Sequence, residues 1–520
     1  MRIILIFIFL SSSIRGVLAA NDIPVNPNLT WNGEISLAVN PLNPANCVVA
    51  WMKLTTFTTA SIAISYSTNS GNTWSEPVYL PHFSSGFTSA DPTLICSGNG
   101  VFYFAYIDYN NISLSAGSVY VTRSTDGGDT WTTPVQAIDV SAAPDKPIDR
   151  PWLAMDNSNG VNHGMIYLVT KSYKDAVAPH HIYLVKSGDG GTTWSSAKVL
   201  DDFLPVGATS NTMGVPCVTI NGALVVNYLS YDPSLSLHVR DVIIQSNDGG
   251  QTFTGSIISE IPDNSIIPPG DSLFQYSYAI SANPADSNNL VHVFTDRRNG
   301  DWDIWGNYSL DAGITWSTTT RLNDDPVGNG IGQDMCWGGF STNGIYAVLW
   351  RDRRDGTSGQ FSPYRIYGAY SLDHGATFSA NLALSQTLAP LSIPVTGNDF
   401  LGACMGDSTI YGVWADKRNG LNQEYFNSYK ILPVSGIFSS VSHQTVQIIP
   451  AIITSATAVI NPRLTSGMNN FQVTVFDLIG HRILYQVNSP FLDLSGIPAG
   501  MYIIEFNTGA TFYHQRFILE

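Results

Sequence analysis

Ser124-Thr-Asp126-Gly-Gly128-Asp-Thr130-Trp131 is the stretch that decides the fold, because the chain keeps returning to it. It recurs as Ser187-Gly-Asp189-Gly-Gly191-Thr-Thr193-Trp194 and as Ser246-Asn-Asp248-Gly-Gly250-Gln-Thr252-Phe253. Two later copies span residues 309–316 and 371–378, around Asp311 and Asp373, and an earlier one at 67–74 carries Asn69 in the Asp position. The shared pattern is Ser-x-Asp-x-Gly-x-Thr-Trp/Phe at a spacing of about 60 residues, the mark of a repeat architecture. Its chemistry is that of a turn between strands. The Asp carboxylate accepts backbone N–H bonds, Gly supplies a conformation closed to other residues, and Thr and Trp start the next strand.

Around each copy lie short apolar strands, three before the turn and one after it. First strands begin near Glu34, Asp91, Asp149, Gly214, Tyr278, Asp334 and Asp399, which makes seven starts against six turns. Four strands per unit without helical periodicity read as propeller blades. The seventh unit lacks both the Asp phrase and a fourth strand, and an orphan extended stretch, Ile23-Pro-Val-Asn-Pro-Asn-Leu29, precedes the first unit. Pairing that stretch with the last blade would close the ring without an open edge. The expectation is an all-β chain with a seven-bladed propeller, six blades being the alternative, over residues 21–430. A linker at 431–445 and a small β-sandwich at 446–520 follow, the latter read from alternating apolar residues and Gly turns.

Two resemblances fit these motifs. The repeated phrase resembles the Asp-box, or bacterial neuraminidase repeat, of sialidase-type propellers. The tail carries Val475-Phe-Asp477-Leu-Ile-Gly480, Leu492-Asp-Leu-Ser-Gly-Ile-Pro-Ala-Gly-Met-Tyr502 and a closing Phe517-Ile-Leu519. It resembles the C-terminal sorting domain of proteins exported by the type IX secretion system of Bacteroidetes. Arg2, the apolar run 3–10 and Val17-Leu18-Ala19-Ala20 read as a signal peptide over residues 1–20. Together they imply export through the periplasm and outer membrane, with the secretion machinery as one partner and the cell surface or medium as destination.

Composition agrees. Charged residues make up 12% of the 520, and the net charge of −16 excludes a nucleic-acid partner. The five cysteines, Cys47, Cys96, Cys217, Cys336 and Cys404, are too scattered for a disulfide framework or a zinc site and read as small packing residues.

In the resembled family the Asp turn lies on the face away from the ligand. Candidate chemistry therefore belongs to the loops before the first strands and between the second and third. The former carry acids at Glu34, Asp91, Asp149, Asp334 and Asp399, with Asp149-Arg150-Pro151-Trp152 setting acid, base and aromatic together. Asp149, Asp91 and Asp334 are the candidate catalytic acids. Such a ring can do acid/base work, ligate a cation such as calcium, or accept bonds from backbone N–H groups; no cofactor is required and the metal is unknown. The latter loops repeat as Asp296-Arg297-Arg298, Asp352-Arg353-Arg354 and Asp416-Lys417-Arg418. Arg150, Trp152, Arg297, Arg298, Arg353, Arg354 and Arg418 are the candidate substrate contacts, since Arg grips carboxylates bidentately, with the competing reading that each Asp and Arg braces its own loop.

The resemblance to sialidases stops short of their catalytic set. No Arg-Ile-Pro segment is present, the first Arg after the signal peptide is Arg123, and no Tyr among Tyr231, Tyr276 and Tyr278 is marked by a paired Glu. Three functions follow in order: a glycan- or glycoconjugate-binding propeller using a rim that includes Trp152, Trp302 and Trp350, an exo-acting glycosidase of sialidase type on acidic sugars, and a polysaccharide lyase. Asp126, Asp189, Asp248, Asp311 and Asp373 are structural in every case.

Overall fold

A computed structural model describes residues 16–18, 21–28, 31–56, 59–173, 176, 179–207, 212–231, 239–261, 277–356, 362–390 and 400–431, and, in the tail, 452–453, 457–459, 472–476, 482–487, 491–498, 500–507 and 512–519. Among the described residues all regular structure is β-strand and none is helix. The chain separates into two compact units, one spanning Val17–Ile431 and the other taking in Leu432–Glu520.

The first unit is a seven-bladed propeller. Six antiparallel sheets of four strands are joined by a seventh built from Gly402–Met405, Thr409–Asp416 and Gln423–Ile431. Each blade's first strand is innermost and packs on the first strand of the next blade, and Gly402–Met405 packs on Trp31–Val39 to complete the circle. The second strands are apolar because both of their faces lie against neighbouring blades. Trp51, Phe104, Tyr167, Val226, Phe294 and Trp350 from the second strands are fully buried.

The mismatch between seven strand starts and six turns has the predicted resolution. Ile23–Pro24 pairs antiparallel with the third strand of the last blade, Ile23 opposite Phe426 and Pro24 opposite Tyr425. Asp22 then latches the seam. Its carboxylate accepts Gln386 N–H at 2.8 Å, Thr387 N–H at 3.1 Å, Arg418 Nη1 at 2.7 Å and Asn427 Nδ2 at 3.0 Å. Asp22→Ala removes the acceptor for all four donors and should destabilise the propeller by about 3 kcal/mol. A thermal melt within a degree of the parent would show that the seam does not depend on this residue.

The repeated phrase folds as a self-contained unit. In the second copy Ser124 Oγ donates to Asp126 Oδ1 at 2.7 Å and accepts Gly128 N–H at 2.9 Å, while Asp126 Oδ1 accepts Thr130 N–H at 3.0 Å. Gly128 has φ of 99°, and the Trp131 indole donates to its carbonyl at 3.1 Å. Asp189, Asp248, Asp311 and Asp373 repeat these bonds, which hold their carboxyls below the usual carboxylate range. Asn69 substitutes without loss because its Oδ1 accepts Thr73 N–H at 2.9 Å and its Nδ2 donates to Thr73 Oγ1 at 2.8 Å.

In the tail, Gln472–Phe476, Arg482–Val487, Gly500–Asn507, Phe512–Leu519 and Ile452–Ile453 form a five-stranded sheet, and Thr457–Val459 pairs with Phe491–Asp493. Val473, Val475, Leu492, Leu494, Ile504 and Phe506 fill the core between them.

Candidate functional site

The inner strands all start at one end of the channel, the mouth, while the Asp turns lie at the other. Four of them start with a bulge: the register shifts between Asn32 and Ile35, Ala90 and Thr93, Asp149 and Trp152, and Asp334 and Trp337. Asp91, Arg150 and Met335 sit inside these bulges with φ of 54°, 47° and 55°. Side chains seldom accept that backbone, and such strain, like bulges generally, concentrates where side chains are re-aimed for use. The bulges also separate acids that looked equivalent. Asp149 and Asp334 open their bulges, Asp91 is one residue inside and Glu34 two.

Three of those acids meet. The Asp91 carboxyl is in hydrogen-bonding contact with Glu34 and with Asp149, and Asp91 Oδ2 accepts the Arg150 N–H at 2.9 Å. Lys171, at the end of the second strand of the same blade as Asp149, donates to Asp149 Oδ2 at 2.7 Å. Burial and then the Asp149 charge push the Asp91 carboxyl up. Burial would raise Asp149 too, but Lys171 and then Arg150 outweigh it and hold Asp149 below the usual range. Burial lowers Lys171, against the pull of Asp149. Neighbouring carboxyls thus have opposed proton affinities. Glu34 and Asp149 are buried, while Asp91 and Arg150 keep part of their surface open.

Arg150 and Trp152 extend this cluster across the channel. The Arg150 guanidinium lies 5.0 Å from the Phe400 ring centre. Trp152 stacks on Trp337 of the blade opposite, centroids 4.4 Å apart, with Phe400 edge-on at 5.4 Å. Acid, cation and aromatic surface therefore meet at the mouth, as the Asp149-Arg150-Pro151-Trp152 stretch suggests.

Asp334 has a different post. Arg351 grips it bidentately, through Nε at 2.6 Å and Nη2, and Arg353 adds Nη1 at 3.1 Å and Nη2 at 3.2 Å. Asp334 is 0% exposed and both arginines 1%, so Arg353 is bound inside the blade rather than offered to a ligand. The other loop arginines brace their own turns. Arg298, Arg354 and Arg418 bond Asp296, Asp352 and Asp416 two residues before them. Their guanidiniums lie 4.5, 4.5 and 3.9 Å over Trp305, Tyr367 and Tyr425 of the following strand. Arg297 is exposed, 5.9 Å from the Trp302 ring.

Of the aromatic rim, Trp350 is buried with its indole N–H on Asp352 at 2.8 Å, and Trp302 is 4% exposed, so Trp152 is the member at the mouth. Tyr278 accepts the Met213 N–H at 2.7 Å and donates to its carbonyl. Asp399 and Tyr276 lie outside the described residues. Lys171, Trp337 and Phe400 are functional neighbours that sequence reasoning passed over. Lys171 could have been flagged as a lone cation ending the apolar run Ile-Tyr-Leu-Val-Thr. Among the described residues no group of three or more His, Cys, Asp or Glu side chains is arranged to hold a metal ion.

The tail matches the family described as a secretion system C-terminal sorting domain over residues 456–520. Residues 456–520 are a sorting domain. It marks the chain for type IX export, to the cell surface or the medium. No curated protein matches the chain. Among solved structures, a protein of unknown function from Dyadobacter fermentans is 18% identical with a TM-score of 0.42, covering 68% of this chain and 97% of that one. The NanB sialidase of Streptococcus pneumoniae is 15% identical at TM-score 0.40, covering 80% and 70%. An α-L-arabinofuranosidase from Fusarium graminearum is 12% identical at TM-score 0.43, covering 79% and 97%. Likeness this remote bears on neither substrate nor activity.

Proposed function

We propose that the exported propeller binds glycans at the channel mouth. The observation that carries this reading is the adjacency of partly open Asp91 and Arg150, the latter over Phe400, which lies edge-on to the stacked Trp152 of Trp152–Trp337, with Glu34, Asp149 and Lys171 as buried support. Carboxylates accept bonds from sugar hydroxyls, the guanidinium donates to ring or acidic oxygens, and an indole covers the apolar face of a pyranose. Left-handed backbone at Asp91 and Arg150 sets the direction in which each side chain leaves the strand, and the Arg150 N–H on Asp91 and the Phe400 ring under Arg150 hold them further, which lowers the entropy lost on binding.

Glycoside hydrolysis is the second reading, favoured by one observation: Asp91 is held towards its protonated form beside an ionised Asp149, as an acid and its partner would be. The spacing speaks against it. Retaining enzymes keep their carboxyls roughly 5–5.5 Å apart and inverting ones farther, to leave room for sugar or water. Asp91 and Asp149 touch each other, so neither has that room. The test is a screen of the full chain against immobilised neutral, sialylated and uronic-acid glycans, with product analysis in parallel. Retention of a glycan without release of sugar is expected. Catalytic release that survives purification would make the hydrolase reading correct, and retention of none would remove the glycan reading.

A further inference from the structure

The propeller channel holds a second space, distinct from the mouth. A cavity of about 470 Å³ runs between the inner strands, walled by Leu37, Val39, Leu94, Val215, Ile280 and Met405. The stacked Trp152 and Trp337 close it towards the mouth. Its opposite rim is formed by Asn40, Pro44, Asn157, Thr342 and Asp407, in the turns that join first to second strands. Those turns belong to the Asp-turn face. Ser70 N–H donates to Ala45 O at 2.8 Å and Asn46 Nδ2 to Gly127 O at 2.9 Å, tying them to the repeated phrase. The cavity therefore opens on the face opposite the glycan site.

Its lining selects for one chemistry. No Lys, Arg or His is among the lining residues, and Asp407, exposed on the rim, is the one carboxylate. Cys96, Cys217 and Cys404 are half-buried residues of the lining, Cys404 Sγ donating to the Leu37 carbonyl at 3.1 Å, and burial pushes each thiol up to about 12, so they stay uncharged. Gly339 lies on the wall, and a Cβ built there meets nothing within 4 Å, so the wall faces open volume at that point. The volume falls in the range of small-molecule sites, roughly 300–1,000 Å³, which are mostly apolar with a few polar groups at fixed places. A chain of net charge −16 with a rim carboxylate repels anions and draws cations.

We propose that this channel is a binding site for a slender, largely apolar small molecule, neutral or cationic, that enters from the Asp-turn face and ends against the Trp152–Trp337 pair. An apolar body gains the aliphatic side chains of the wall, and an aromatic end gains an indole surface. The site shares the Trp152–Trp337 pair with the mouth but not Asp91 or Arg150, so loss of one reading is told apart from loss of the other.

The probe is N-phenyl-1-naphthylamine, a slender neutral fluorophore, titrated into the full chain. A saturable fluorescence rise at one molecule per chain is expected, and the anionic 1-anilinonaphthalene-8-sulfonate should not displace it. Gly339→Trp fills the channel where no atom stands in the way and should weaken the probe by at least about tenfold. Ala282→Phe narrows it from another blade and should act in the same direction, so misfolding of one variant leaves the other to decide. Absence of saturable binding to the parent, or undiminished binding by a variant that melts like the parent, would overturn the proposal.

Discussion

Asp334→Ala should lower the stability of the propeller by about 3–5 kcal/mol, because it strips the carboxylate from two buried arginines at once. Burial alone would raise the Asp334 carboxyl, but Arg351 and then Arg353 outweigh it and hold it below the usual range. In the variant, Arg351 and Arg353 stay 1% exposed or distort the blade to reach water. Arg353 retains the Gly332 carbonyl at 3.1 Å, which satisfies one donor but none of the charge. Asp334→Asn keeps one acceptor oxygen but removes the charge and turns an amide NH2 towards guanidinium donors, so it should lose a comparable amount. The measurement is the urea midpoint of the full chain, followed by a propeller tryptophan signal. A loss below about 1 kcal/mol would mean that the arginines find another partner. Because Asp334 was also a candidate acid, the result separates roles: a structural Asp334 loses stability and ligand binding in parallel.

Lys171→Met should cost a similar amount, about 3–5 kcal/mol at neutral pH, and should do so with a pH dependence that identifies its cause. With Lys171 present, the folded Asp149 carboxyl is depressed, so its stabilising contribution is full above the unfolded value and is lost as pH falls through the folded one. Without Lys171, burial is opposed only by Arg150 and the Asp91 contact, so the Asp149 carboxyl rises from its depressed position. The variant is then penalised at neutral pH, where the carboxylate must stay ionised and buried, and recovers as acid protonates it. The gap between parent and variant should therefore be widest near pH 7 and close towards roughly pH 3, near the unfolded carboxylate value. Denaturation curves at several pH values measure it. A gap that does not change with pH would show that Lys171 acts only through packing of its stem.

The fold was legible because its decisive contacts are local. The bonds that Ser124, Asp126 and the Trp131 indole make to shape the turn fall within those eight residues, so the sequence records them directly. Ring closure was legible from a count, since a last blade short of one strand needs Ile23–Pro24. The site was legible only in part. Its acids lie at inner-strand starts as expected, yet their partners come from elsewhere: Glu34, Asp91 and Asp149 belong to three different blades, and Lys171 lies a strand away from Asp149.

The arginine loops show the same limit. Arg297, Arg353 and Lys417 hold the same place in one repeated pattern, but only Arg353 has an Asp334 to enter the blade for. Pattern gives the position of a side chain, and burial with a counter-charge decides its use. Trp337 and Phe400 were missed because stacking across the channel depends on which blades face each other, a property of the closed ring.

In the proposed site, Arg150 and Trp152 hold a glycan at the mouth. The most direct test is the affinity of the full chain for the glycan it retains, set against Arg150→Ala and Trp152→Ala variants that melt as folded proteins. Loss of a charge-assisted bond costs about 1.5–3 kcal/mol, so Arg150→Ala should weaken binding by roughly 10- to 100-fold. Trp152→Ala should weaken it as well, while Arg297→Ala, exposed and away from the cluster, should leave it unchanged. Affinity undiminished in both mouth variants, or lost in Arg297→Ala instead, would contradict the account.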